Sequence, residues 1–237
     1  MVNMFQLTDF QQQQIKADAI ANLDREVCGL ILRDGSIVSC ENTHQDPLNH
    51  FKISTSQYAK YEPLVAAIYH SHVNDVPNFT APDVDLLYAI DKPLVLYSLT
   101  RNHFRIADLS GEQPLIDREF LYGVYDCYSL VADYYQQNLS IKLGRYPRSG
   151  DNADWDKVEW DWIDRQFEAE GFYAVRGDIK THDVLAMSLG DGNRTINHLG
   201  VYTGDNLFMH QLCNRKSRLD TWGHPWRQYV TQVLRYG

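Results

Sequence analysis

Two histidines spaced as His-x-His, in Tyr69-His70-Ser71-His72, close an apolar run from Leu64 to Tyr69. If that run is a strand, its period of two puts both imidazoles on one face, converging on one point. Further along, Thr80-Ala81-Pro82-Asp83 opens a predicted helix, where the Asp83 carboxylate can supply a third ligand. Two imidazoles and a carboxylate suit zinc and leave the fourth position open, as in catalytic zinc sites. A water in such a place needs a base, and Glu26, in Arg25-Glu26-Val27-Cys28-Gly29-Leu30-Ile31, is a candidate acceptor for its proton. A second group centres on Cys127. It follows Asp126 at the start of a predicted helix, where the helix dipole and unpaired amides favour a thiolate. A thiolate nucleophile needs an imidazole partner. His198 begins a predicted strand, and His210 lies on the next one. If the two strands are antiparallel neighbours, His210 can stand against His198 and orient it. His-Glu-x-x-His, the other common zinc-peptidase layout, does not occur.

The elements that must carry these residues can be read from pattern. Asp9 to Asn22 is glutamine-rich and free of glycine, and Phe10, Ile15, Ala17, Ala19, Ile20 and the following Leu23 keep a loose helical period, so a first helix is expected. Cys28–Leu32 and Ser36–Cys40 flank Arg33-Asp34-Gly35, which reads as a hairpin. Leu64–Tyr69 and Leu94–Leu99 are compatible with strands, and Pro82–Ile90 suits a helix starting near a proline. Periodicity lapses between Ala107 and Glu119, where Ser110-Gly111 and Pro114 act as breakers. A domain boundary is expected near residue 112, giving domains 1–112 and 113–237. In the second, Cys127, Leu130, Val131, Tyr134 and Tyr135 trace one helix face. Another helix is expected over about Trp155 to Glu170. Val184–Ser188, Leu199–Thr203 and Leu207–Gln211 then read as strands. The fold class is mixed: helices and strands alternate in the first domain, and an α+β order follows in the second. Gly190-Asp191-Gly192 lacks the context of a dinucleotide loop and reads as a turn. Trp155, Trp160 and Trp162 are expected in the core or lining a groove.

Composition limits the functions open to the chain. Its 237 residues are 44% hydrophobic and 22% charged, which fits folded globular domains and excludes disordered, collagenous or coiled-coil chains. The net charge is −9, so nucleic acid is a poor partner. Met1 to Lys16 is polar and glutamine-rich and no stretch of about 18 apolar residues occurs, so neither a transmembrane segment nor an apolar leader is expected. The four cysteines form no Cys-x-x-Cys pair, so a reducing compartment is expected, with Cys28, Cys40 and Cys213 as small buried apolar residues.

His-x-His, seven residues, then Thr-x-x-Asp, with Glu26-x-Cys28-Gly29 upstream, closely resembles the JAMM motif of MPN-family metallopeptidases. That resemblance implies a JAMM-like αβα domain in which His70, His72 and Asp83 bind Zn2+ and Glu26 is general base and acid. It also implies that Thr80, standing where the family has Ser, donates a hydrogen bond to the developing oxyanion. Val73 stands where the family commonly has Pro.

Asp126-Cys127-Tyr128-Ser129-Leu130-Val131, His198-Leu199-Gly200-Val201-Tyr202-Thr203-Gly204 and Asn206-Leu207-Phe208-Met209-His210 resemble, in that order, the motifs of NlpC-type cysteine peptidases. The implied fold is a papain-like NlpC α+β domain. Cys127 is the implied nucleophile, His198 the base that later protonates the leaving amine, and His210 the group orienting it. The Cys127 amide contributes to the oxyanion hole. Tyr128 replaces a small residue and His182 replaces Gly, and both are expected to narrow the cleft. The two motif sets in one chain resemble tail-tip assembly proteins of lambda-like phages. This implies other phage tail tip proteins as partners and peptidoglycan stem peptides as substrate. It further implies a protein present in the host cytoplasm during assembly, then at the virion tail tip or in the host periplasm. The rival expectation is a structural or chaperone component of tail assembly that keeps both folds without turnover.

Overall fold

The computed structural model describes residues 4–74, 76–146, 161–190 and 196–237. The chain divides between Glu112 and Gln113 into two units.

In the first unit, Thr8 starts helix α1 (Asp9–Ala21) through a capping box. Its hydroxyl accepts from the Gln11 amide at 3.2 Å, and Gln11 Oε1 accepts from Thr8 N–H at 2.9 Å. The helix buries Ile15 and Ala19, one turn apart, whereas Phe10, Ile20 and Leu23 are exposed. The loose period in the sequence reflects this narrow buried stripe. Strands β1 (Cys28–Leu32) and β2 (Ile37–Cys40) form the expected antiparallel hairpin. Gly35 takes the φ of +87° that its turn requires. A short helix α2 (Thr55–Tyr61) leads into β3 (Val65–His72), α3 (Ala81–Ile90), β4 (Leu94–Ser98) and β5 (His103–Ala107). The sheet order is β2-β1-β3-β4-β5, with β3 and β4 parallel and the other neighbours antiparallel.

The sequence placed the end of β3 at Tyr69, but the strand continues to His72. Its ladder with β4 runs on through His70↔Leu96 and His72↔Ser98, so the polar residues are held as firmly as the apolar ones. Leu64 lies before the strand, in a single 3₁₀ turn, and is exposed. Ile31, Ala67, Tyr69, Val95 and Tyr97 pack with Ile15 and Ala19 of α1. Alternation then puts Ile68, His70 and His72 on the opposite face of β3. That face is also buried, so the histidines enter an enclosed layer. Sequence pattern does not mark α2, which buries no residue, or the edge strand β5, of which only Ala107 is buried.

In the second unit, α4 (Cys127–Leu139) is followed by α5 (Asp161–Ala169) and strands β6 (Phe172–Ala174), β7 (Val184–Met187), β8 (His198–Gly204), β9 (Leu207–His210), β10 (Arg218–Thr221) and β11 (Val230–Tyr236). The six strands are antiparallel in the order β10-β9-β8-β7-β11-β6. Leu130, Val131, Tyr134 and Tyr135 of α4 join Val184, Ala186, Leu199, Val201 and Met209 in one core. Leu185, Met187, Phe208 and Trp222 form a smaller core with other sheet residues. The edge strand β10 reads Arg-Leu-Asp-Thr and buries none of these residues, which is why pattern alone missed it. The expected helix over Trp155–Glu170 is described only from Asp161. Trp155, Trp160, the Trp162 side chain and the Asp191-Gly192 part of the expected turn lie outside the described residues.

Candidate active sites

The first site lies where β3 leaves the sheet and α3 begins. His70 Nε2 and His72 Nε2 are 3.2 Å apart; Asp83 Oδ1 is 3.2 Å from His70 Nε2, and Asp83 Oδ2 is 3.4 Å from His72 Nε2. Four ligands at about 2.0–2.1 Å around a tetrahedral ion stand roughly 3.3 Å from one another. The three side chains fit zinc on that measure, and each is buried. His72 Nδ1–H donates to the Val76 carbonyl at 2.9 Å, which leaves Nε2 bare for an ion. Phe51 stacks on the His70 ring at 4.4 Å.

Glu26 is held over this group by its own backbone. Its N–H donates to the Pro47 carbonyl at 2.6 Å, and its carbonyl accepts from Asn42 Nδ2 at 2.9 Å. The side chain is buried, and Oε1 lies 3.7 Å from His72 Nε2 with no hydrogen bond. Burial therefore pushes the carboxyl up to about 8, against the pull of His72. Burial holds the His70 imidazole below its ordinary value. It also acts on His72, but there the hydrogen bond to Asp83 and the charges of Glu26 and Asp83 prevail and raise the group. For Asp83, burial is outweighed by the two histidines, which hold its carboxyl well below the usual range.

Thr80 differs from expectation. Its N–H and its hydroxyl both donate to Asp83 Oδ2, each at 2.7 Å. The helix cap consumes the one hydroxyl proton, so Thr80 here orients the Asp83 carboxylate rather than facing an oxyanion.

The second site is built on α4 and three strands. Asp126 caps the helix: Oδ1 accepts from Ser129 N–H at 3.0 Å and Oδ2 from Gly123 N–H at 2.9 Å. This puts Cys127 in the first turn, 7% exposed, lining a cavity of about 230 Å³. His198, Tyr128, Gln211, Cys213 and Arg215 line the same cavity. His198 Nε2 meets His210 Nδ1 at 2.9 Å, and His210 Nε2 meets Asp220 Oδ2 at 3.1 Å. The strand register explains the line-up: Gly200 faces His210 across β8/β9, and Phe208 faces Asp220 across β9/β10. Each pair is thus a diagonal neighbour on one face of the sheet. A Cβ on Gly200 would sit 2.9 Å from Phe208 Cδ2, 3.1 Å from the Met209 carbonyl oxygen and 3.3 Å from His210 Cβ, so glycine lets β9 pack this closely on β8. Burial drives His198 well below the ordinary imidazole value, helped by His210. It lowers His210 too, against the pull of Asp220.

Several participants carried no signal in the sequence. Asp220 is one, on an edge strand beside Arg218. Arg118 is another, 3% exposed although Asp117-Arg118-Glu119 reads as surface charge. Its guanidinium donates to Asp133 Oδ2 at 2.5 Å, to Gln211 Oε1 at 3.1 and 3.2 Å, to the Asp126 carbonyl at 3.0 Å and to Ser129 Oγ at 3.3 Å. Burial pushes the Asp133 carboxyl up and the Arg118 guanidinium down, and the facing charges pull each back. Cys28 and Cys40 are buried as expected, and burial raises the Cys28 thiol to about 12. Cys213 is a correction: it is half-buried and faces the cavity, because it follows the end of β9 just beyond His210. His182 is a second correction. It does not line the cavity; its Nδ1 bonds the Tyr134 hydroxyl at 2.8 Å and its carbonyl accepts from the Tyr135 hydroxyl at 2.5 Å. Tyr128 does line the cavity, its hydroxyl donating to the Gly144 carbonyl at 2.9 Å.

A helix-borne cysteine packed on an antiparallel sheet that carries two bonded histidines has the architecture of a papain-like hydrolase domain, and the sequence comparisons agree. The NlpC/P60 family pattern matches residues 117–235, and the chain belongs to the NlpC/P60 family. Two curated relatives extend the likeness into the first unit. Tail tip assembly protein K of Escherichia phage N15 is 26% identical over 94% of this chain and 92% of its own length. The protein of that name from Escherichia phage lambda is 27% identical over 75% of this chain and 85% of its own. Among solved structures, an NlpC/P60 family protein from Bacillus cereus ATCC 10987 aligns with a TM-score of 0.36 and 11% identity, over 93% of this chain and 66% of that one. No helix among the described residues is long and apolar enough to cross a membrane.

Proposed function

We propose that this chain is a phage tail tip assembly protein whose second unit is a cysteine endopeptidase cutting peptidoglycan stem peptides, at the bond between D-glutamate and meso-diaminopimelate. The observation that carries the reading is the sharing of one cavity by Cys127, at a helix N-terminus, and by His198, which is hydrogen-bonded from behind by His210. In this reading His198 takes the thiol proton and the Cys127 sulfur attacks the amide carbonyl carbon. The Cys127 N–H donates to the oxyanion. His198 then gives the proton to the departing amine, and water releases the acyl group. Family membership supports the hydrolase class, and the names of the two phage relatives support the setting. Purified wild-type protein should digest isolated cell wall into stem-peptide fragments, and Cys127→Ala should remove that activity. Equal digestion by the variant would rule out the thiol.

For the first unit we propose a zinc peptidase that processes a tail protein. His70, His72 and Asp83 would hold the ion, with Thr80 fixing Asp83. When bound, zinc supplies Lewis-acid polarisation of the scissile carbonyl. Glu26, whose Oε1 lies 3.7 Å from His72 Nε2, would take a proton from the attacking water and pass it to the leaving amine. Metal analysis should give one zinc per chain, lost in the His70→Ala/His72→Ala double variant. Equal metal content in the two proteins would overturn the site.

A further inference from the structure

We infer that Asp220 is a positioning residue that decides, through His210, which nitrogen of His198 is bare toward the Cys127 cavity. The inference rests on the peptidase reading of Cys127 and His198 and extends it to a residue two strands from the cavity.

An ionised carboxylate can only accept hydrogen bonds, so the 3.1 Å contact with Asp220 Oδ2 requires a proton on His210 Nε2. A neutral imidazole carries one N–H, which leaves His210 Nδ1 bare. The 2.9 Å contact between His210 Nδ1 and His198 Nε2 then needs a donor, and only His198 Nε2–H can supply it. His198 Nδ1 is therefore the bare nitrogen, the one not tied up behind the ring. Reversing the polarity of the chain would leave the proton on Nδ1, where it could not receive another from the thiol.

The scaffold keeps this line fixed. Phe208 and Trp226 both pack against the His210 ring, each with its centroid 4.6 Å away, and against each other at 5.2 Å. Arg218 donates to the same Asp220 oxygen at 2.7 Å, which fixes the carboxylate's orientation along the sheet. Asp220 itself is partly exposed, so its replacement removes the end of the chain without opening a core.

The test uses the full chain with ¹⁵N-labelled histidine, in wild type, Asp220→Asn, Asp220→Ala and Asp220→Glu, with circular dichroism confirming that each folds. Two-bond ¹H–¹⁵N correlations should show His198 as the Nε2–H tautomer in wild type. They should show a substantial Nδ1–H population in Asp220→Asn and Asp220→Ala, and recovery in Asp220→Glu. Alkylation of Cys127 by iodoacetamide, followed by peptide mapping, should slow about tenfold or more in Asp220→Asn and Asp220→Ala. On stem peptide, kcat should fall by a similar factor with KM unchanged. An unaltered His198 tautomer together with unaltered alkylation in Asp220→Ala overturns the inference. Because those two readouts need no substrate, a wild type that cleaves nothing counts against the peptidase reading alone. A wild type that cleaves no faster than Asp220→Ala, with an unmoved tautomer, counts against Asp220 alone.

Discussion

Arg118→Met is the perturbation with the largest consequence calculable from the structure. The guanidinium is buried and makes bonds to four partners: Asp133, Gln211, Asp126 and Ser129. Methionine fills comparable volume but donates nothing. Asp133, 4% exposed, would be left with Arg145 alone, whose side chain is 28% exposed. Removing one member of a buried ion pair costs about 3–5 kcal/mol, and the remaining Arg145 contact places the expected loss near the lower end, about 3 kcal/mol. For a unit of this size, each kcal/mol corresponds to roughly 3–6 °C in melting temperature, so a drop of about 10–20 °C is expected. All five tryptophans lie beyond residue 150, so urea unfolding followed by tryptophan fluorescence reports the second unit specifically. Arg118→Lys should recover little of the loss, because an ammonium cannot reach the four partners in one plane. Activity should fall as well, since Arg118 ties the helix turn bearing Cys127 to Gln211, the neighbour of His210. A loss below about 1 kcal/mol in Arg118→Met would refute the view that this ion pair braces the site.

Acidification should destabilise the second unit. His198 and His210 are held below the ordinary imidazole value of 6.5 by burial, so below that pH the unfolded chain takes up protons that the folded unit refuses. Stability should then fall by up to about 1.4 kcal/mol per pH unit for each histidine, and urea midpoints at pH 7, 6 and 5 in wild type and His198→Gln would measure it. Gly200→Ala should reduce cell-wall digestion at least tenfold, because its Cβ would push on Phe208 and His210 and lengthen the His198 contact; unchanged digestion would show that the ring has room. Zinc at a hundredfold excess over its dissociation constant should stabilise the first unit by about 2.7 kcal/mol, an effect that EDTA reverses and the His70→Ala/His72→Ala double variant lacks.

The spacing of His70, His72 and Asp83, the thiol at a helix start and the order Cys127, His198, His210 were legible as text. Local rules set them: strand alternation aims two histidines one way, and an N-capping Asp126 starts the helix under its cysteine. The hairpin at Gly35 and the break near residue 112 were legible for similar reasons, being marked by turn residues and lost periodicity. Local rules also misled in places. The resemblance implies an oxyanion donor at Thr80, and only the observed 2.7 Å bond assigns its hydroxyl proton to Asp83. His182 looked like a cleft residue from its place in a motif, yet its ring is engaged by Tyr134.

What the sequence by itself determined was which side chains share a face within one strand or one helix turn, because backbone periodicity fixes that over a few residues. Only the tertiary structure decided which strands are neighbours and in what register. That arrangement sets Asp220 behind His210, buries Arg118 ninety-three residues from its partner Gln211 and turns Cys213 toward the cavity. Strand pairing and burial are settled by the packing of the whole core, and a charged residue on an edge strand looks the same in sequence whether it meets solvent or a histidine.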